Sequence, residues 1–429
     1  MSSKENEQVT KSAGSRGLWL LWPVVIAGEA IFLLPFVLPR LFRPTMLQVW
    51  NIDNVDLGLA FSAYGVVAAV AYFFGGLLGD RFDPRRLMAI ALVATSVGGL
   101  CLLQNPSPAF LRWVYAYFGL TTILLFWSPM LRVTHQLGGD DSQGAAFGIL
   151  DAGRGLFAAL MATVMATVFA FLLPMDNPSD EELARGLRSI IIIASITVSL
   201  SAAILLIALR NLPSTNVSDS SESLRFSKVI QLARQPSLWF HGIVVLCAYC
   251  GYKSIDNYGL FGVVVFGLSD VESSTLTSIT FWARPVAAVL AGLLADRVGN
   301  FRTLAALFSA MAIGNILLLF AAPPSVPWIG LIMIATSTAA MVYGLRGVYF
   351  AVFDDLRVPP TLVGTAAGIV SMIGFLPDVF FGSATGFVLD HYPGRLGHQY
   401  VFAAVAGLAL LGAVATLING NLTRRRCDN

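Results

Sequence analysis

Gly76-Leu77-Leu78-Gly79-Asp80-Arg81 returns almost unchanged as Gly292-Leu293-Leu294-Ala295-Asp296-Arg297. Each copy closes a long apolar run and opens a short loop that leads to further basic residues, Arg85 and Arg86 in the first and Arg302 in the second. A hexapeptide duplicated at the same place in two apolar runs reads as two copies of one unit. In a membrane protein, such a pair of repeats builds a cavity between halves that can rock against each other.

Composition makes the membrane the solvent. Hydrophobic residues are 56% of the 429 and charged residues 12%, with a mean hydropathy of +0.74. That charged share is about half the value for a soluble domain. Runs of about 20 apolar residues cross a ~30 Å hydrocarbon core. On that measure twelve spans are predicted, at 18–39, 56–79, 87–104, 110–132, 144–173, 189–209, 237–262, 273–295, 303–322, 327–350, 361–388 and 399–419. The polar, Ser-rich stretch 210–236 divides six from six. The expected organisation is a cytoplasmic tail (1–17), a six-helix half (18–209), a central cytoplasmic loop (210–236), a second half (237–419) and a cytoplasmic tail (420–429). No small-residue cleavage site follows the first run, which reads as a retained helix. With both termini inside, sixteen Lys and Arg residues are cytoplasmic, against six outside: Arg40, Arg43, Arg112, Arg185, Arg188 and Arg395. That bias satisfies the positive-inside rule.

Several functions are excluded. A net charge of +2 offers no footprint for nucleic acid. Cys101, Cys247, Cys250 and Cys427 form no disulfide framework, and the Cys247/Cys250 spacing lies in an apolar helix, where core packing is the reading. The four histidines are scattered, and neither Walker nor dinucleotide glycine motifs occur. No cofactor, metal or enzymatic activity is expected.

The repeated hexapeptides resemble the signature loop between helices 2 and 3, and again 8 and 9, of the major facilitator superfamily. The resemblance covers the whole chain, with departures at Asp83-Pro84 and at Asn300-Phe301. It implies an all-α fold of twelve transmembrane helices in two pseudo-symmetric halves. It also implies an alternating-access secondary transporter in a bacterial inner membrane, working as a monomer on a small molecule and protons. Gly76, Asp80, Arg81, Arg85, Gly292, Asp296 and Arg297 then form a conformational latch. In it, glycine allows close helix approach, aspartate faces a helix N-terminus and arginine anchors at the anionic leaflet.

Away from the span ends, eight charges fall inside the predicted spans: Glu29, Asp151, Asp256 and Asp378 against Arg154, Lys253, Arg284 and Arg346. At about 2.5–3.5 kcal/mol each in lipid, they must face protein or water. Spans 3, 6, 9 and 12, the peripheral helices of the facilitator fold, carry none. Asp151 and Arg154 are three apart and read as a gating pair. Lys253 and Asp256 have the same spacing beside Asn257 and Tyr258, which reads equally as a structural pair or a substrate site. Arg284 is the leading candidate, because a guanidinium binds a carboxylate bidentately. Ala283-Arg284-Pro285 also resembles the Arg-Pro of monocarboxylate porters, though Thr280 stands where those carry an acid. Arg346 is a site residue or a partner of Asp354 or Asp355. Glu29 has no opposite charge on its own helix; desolvation favours a neutral carboxyl, which suits proton coupling. Pro377-Asp378 reads as a helix break, a hinge or a second proton-coupling position. The expected substrate is a small organic anion such as a carboxylate or sugar acid. An amphiphilic drug is the alternative, and a transporter-like sensor or embedded enzyme a remote one.

Overall fold

Backbone polar groups in lipid must be satisfied within the segment, so apolar runs of this length become helices. The computed structural model describes residues 19–138, 143–174, 178–212, 234–356, 358 and 363–428. Among these, eleven helices are long and apolar enough to cross a membrane, and a bent pair makes a twelfth. That pair is α1, Leu21–Ala30 and Leu33–Trp50, bent by 42°. The others are α2 (Asn54–Arg81), α3 (Pro84–Gln104), α4 (Pro108–Gly138), α5 (Gln143–Leu172), α6 (Asp180–Ala208), α7 (Pro236–Phe266), α8 (Asp270–Val298), α9 (Asn300–Phe320), α10 (Trp328–Val348), α11 (Val363–Gly374 and Pro377–His391) and α12 (Arg395–Asp428).

Helix starts follow local sequence. Asp83 caps α3, with Pro84 in its first turn, and Ser107 caps α4 ahead of Pro108. Ser179 with Glu182, and Ser269 with Glu272, form capping boxes on α6 and α8.

Two compact units emerge, Met1–Pro39 with Val66–Val217, and Arg40–Gly65 with Ser218–Asn429. In the first, α1 packs on α5 and α6, and α3 packs on α6. In the second, α7 packs on α11 and α12, and α9 on α12. These are equivalent pairings under the duplication, so the repeat read in the sequence is also a repeat of packing. Residues 40–65, counted with the first half in the sequence, group with the second unit. Glycine is one reason. A side chain at Gly58 would strike the backbone of Gly382 and Ser383, and one at Gly386 the backbone of Asn54. Asp390 completes the contact by accepting from the Asn54 and Val55 amides, at 3.3 and 2.7 Å.

Several spans depart from regular α-helix. After its bend α1 continues as a π-helical stretch, Leu33–Val37. α4 has another at Leu120–Trp127. α7 tightens to a 3-10 turn at Ile255–Asn257, and α11 is interrupted at Phe375 and Leu376. Such irregularities are tolerated at membrane depth where protein surrounds them, and they often mark functional positions.

Candidate functional site

The break in α7 organises a buried charged cluster in the second unit. Lys253 lies in the last turn of the first helical part and Asp256 occupies the 3-10 turn. Arg40 of α1 donates from Nε to Asp256 Oδ1 at 2.5 Å, with both residues nearly sealed from solvent. Lys253 Nζ stands 3.7 Å from Asp256 Oδ2 and 3.4 Å from Asp378 Oδ1. Asp378, in the first turn after the α11 break, also accepts from the Tyr249 hydroxyl at 3.1 and 3.0 Å. One chain of contacts therefore runs from Arg40 through Asp256, Lys253 and Asp378 to Tyr249.

An aromatic wall joins further cations to it. The guanidinium carbon of Arg40 lies 4.5 Å from the Tyr252 ring centre, and that of Arg346 lies 3.9 Å from the same ring. Lys253 Nζ is 4.7 Å from the Phe61 ring. Such positions are favourable for a desolvated cation. Tyr343, its ring 6.3 Å from that of Tyr252, adds a hydroxyl, and Arg284 of α8 is buried. That hydroxyl is buried and has no hydrogen-bond partner among the described residues. Asn257 donates to the Ser254 carbonyl at 3.4 Å, and its buried Oδ1 likewise has no partner among the described residues. Buried polar atoms are usually satisfied, so both are suited to meet a ligand. Tyr258 is buried beside Phe402.

Arg40 is the residue the sequence reading missed. Arg40 and Arg43 were expected in an outer loop, yet both are 3% exposed within α1. A window of one membrane thickness is filled by residue 39 and stops there. The missed signal is the apolar series Leu38, Leu41, Phe42 and Met46, which continues at helical spacing past Pro39 and between the two arginines. Arg43 donates to Asn54 Oδ1 at 3.2 and 3.0 Å. Arg346, which the sequence left between Asp354, Asp355 and the site, stacks on Tyr252, while Asp355 accepts from Asn300 at 2.7 Å.

The first unit holds a second buried centre. Arg154 Nε lies 3.2 Å from Glu29 Oε2 and donates to the Gly28 carbonyl at 3.0 Å, with the Phe32 and Trp127 rings at 5.5 and 5.6 Å. Glu29 therefore meets a base after all, supplied by α5 rather than by its own helix. Asp151, read as the partner of Arg154, is exposed.

In the repeated motif, Gly76 and the side chains of Asp80 and Arg81 lie outside the described residues. Close helix approach is seen next door: a side chain at Gly75 would come within 3.3 Å of the Ile123 carbonyl oxygen. At Gly292 an added side chain would meet nothing within 4 Å among the described residues, so tight packing is not what glycine supplies there. Asp296 and Arg297 are exposed. Arg85, expected at the lipid surface, turns inward instead. It donates to Asp83 and to the carbonyls of Leu209, Arg210 and Leu212 at 3.0, 3.2 and 2.8 Å, satisfying the C-terminal end of α6.

A family model of the Major Facilitator Superfamily matches residues 18–382. The chain belongs to that superfamily. Its all-α, twelve-helix architecture is the facilitator fold, and it is an integral membrane protein of a transporter family. Inner membrane protein YqcE of Escherichia coli K12 is 26% identical over 92% of both chains. Inner membrane protein YihN of the same organism is 24% identical over 93% of this chain and 94% of its own. Among solved structures, the nucleoside transporter NupG aligns with a TM-score of 0.69 at 15% identity, covering 93% of this chain and 98% of that one. A bacterial homologue of the human drug peptide transporters PepT1 and PepT2 aligns with a TM-score of 0.70 at 13% identity, covering 96% and 99%. At such identities these structures speak to the fold alone. Among the described residues, no group of three or more His, Cys, Asp or Glu is arranged to hold a metal.

Proposed function

We propose that this facilitator is a secondary active transporter of a small organic anion, such as a carboxylate or sugar acid, working by alternating access in the inner membrane. Arg40, Lys253, Asp256, Asn257, Tyr258, Arg284 and Arg346 would receive the substrate. Glu29 and Asp378 would carry the coupling protons, while Asp151, Arg154 and the repeated loops would gate. The observation that supports this reading is the cation-rich cluster on the broken helices. Charges in a membrane protein are costly, and arginines retained beside aromatic rings and buried hydroxyls form a receptor for carboxylate-like groups.

The test is uptake by proteoliposomes offered labelled organic anions. Arg284→Ala is expected to abolish uptake while folded protein stays in the membrane. Arg284→Lys should restore it poorly, because the bidentate fork is lost. Undiminished uptake by Arg284→Ala would remove the anion site from consideration. Loss confined to amphiphilic cations would favour the drug-export alternative.

A further inference from the structure

We infer that the substrate is a hydroxylated acid, whose O–H groups are read by Asn257 and Tyr343. This rests on the anion reading above and narrows it, from any carboxylate to a sugar acid or a similar polyol acid. Asn257 follows Asp256 in the 3-10 turn of α7 and is 1% exposed. Its amide nitrogen donates to the Ser254 carbonyl at 3.4 Å, which identifies Oδ1 as the other end of the amide. That oxygen is buried and has no hydrogen-bond partner among the described residues. An amide oxygen only accepts, so whatever meets it must donate. An ionised carboxylate cannot, because both of its oxygens accept as well.

Tyr343 stands one turn before Arg346 on α10 and is 2% exposed. Its hydroxyl likewise has no partner among the described residues. Both groups lie beside the charged cluster. Asn257 is separated from Arg40 by Asp256, which Arg40 bonds, and Tyr343 by the Tyr252 ring, which Arg40 covers at 4.5 Å. A tyrosine hydroxyl can donate or accept, and so can an alcohol. One kind of substrate group therefore satisfies both positions, while the carboxylate goes to the cations. Leaving a buried donor or acceptor unpaired costs more than making the bond gains. A site with such groups rejects an analogue that lacks the matching hydroxyl far better than an apolar pocket rejects one that carries it.

Probes of one chain length separate the hydroxyls from the charge. Purified full-length protein is titrated by thermal shift and by competition for uptake with gluconate, galacturonate, hexanoate, 6-aminohexanoate and sorbitol. The expected result is that gluconate or galacturonate binds about tenfold or more tightly than hexanoate. Tyr343→Phe and Asn257→Leu should each cut that ratio severalfold, with hexanoate affinity kept within about twofold. Without ligand, Tyr343→Phe should melt like the parent, since no bond within the protein is lost; a hydroxyl with a structural role would lower the melting temperature. Hydroxy acids that bind no better than hexanoate, or a ratio that survives both variants, would overturn the hydroxyl inference and leave the anion site standing. Preference for 6-aminohexanoate would overturn it in favour of an N–H donor. No response to any of the acids, whatever sorbitol does, would remove the anion reading and this inference with it.

Discussion

Arg40 and Asp256 bury opposite charges against each other, and such a pair is more costly to break than it is useful to have. Removing one partner strands the other charge at low dielectric, a loss of about 3–5 kcal/mol. Asp256→Asn is therefore expected to lower the melting temperature of the detergent-solubilised protein sharply, although Asn fills nearly the same volume. Replacing both residues by apolar ones should recover most of that loss. A single variant that melts like the parent would mean that water and the Tyr252 ring already compensate Arg40. At this scale the sequence disclosed charge type and spacing within one helix. Lys253 beside Asp256 was visible as a three-residue step, and the structure keeps it. Glu29 with Arg154, and Lys253 with Asp378, join residues more than a hundred positions apart, so no helical period could reveal them.

Among elements, the start of α3 carries its own acid sensitivity. Asp83 caps the helix by accepting from the Arg85 amide at 3.0 Å, and its carboxylate also takes the Arg85 guanidinium at 2.7 Å. That hydrogen bond holds the Asp83 carboxyl below the ordinary value of 3.8. A carboxyl lowered on folding stabilises the folded state above its unfolded pKa and loses that contribution as pH falls through the folded one. The parent should thus lose stability below about pH 4 more steeply than Asp83→Asn, in which the cap remains and the titrating charge is gone. Melting curves between pH 5 and 3 check this, and parallel profiles would show that the pair contributes nothing. Ser179-x-x-Glu182 and Ser269-x-x-Glu272 start their helices by local chemistry, ahead of the 189 and 273 at which hydropathy alone began those spans. The reach of α1 to Trp50 was not legible, since Pro39, Arg40, Arg43 and Pro44 all argue locally for a loop. Burial of residues 40–50 within the second unit outweighs that local preference.

For the whole molecule, the duplication was legible first and most securely. Two matching hexapeptides told of one unit used twice, and the structure pairs α1 with α5 as it pairs α7 with α11. Transport coupling belongs to this scale too. If Glu29 carries a proton, Glu29→Gln mimics the protonated form permanently, and its neutral amide also releases Arg154. Exchange of substrate between equal pools should survive, whereas accumulation driven by an acid-outside gradient should vanish. Vesicles of Glu29→Gln that still concentrate substrate would assign the proton to Asp378 or Asp256, or uncouple transport from protons altogether.

Helix length has a consequence of another kind. α7 is 31 residues long and α8 is 29. At about 1.5 Å per residue, each exceeds the ~30 Å apolar slab by roughly a third of its length. Such helices must tilt or stand proud of the lipid, and modest differences in bilayer thickness cost only fractions of a kcal/mol per Å. A thicker membrane therefore finds spare helix already present to cover, and the protein is matched to a range of lipid compositions rather than to one.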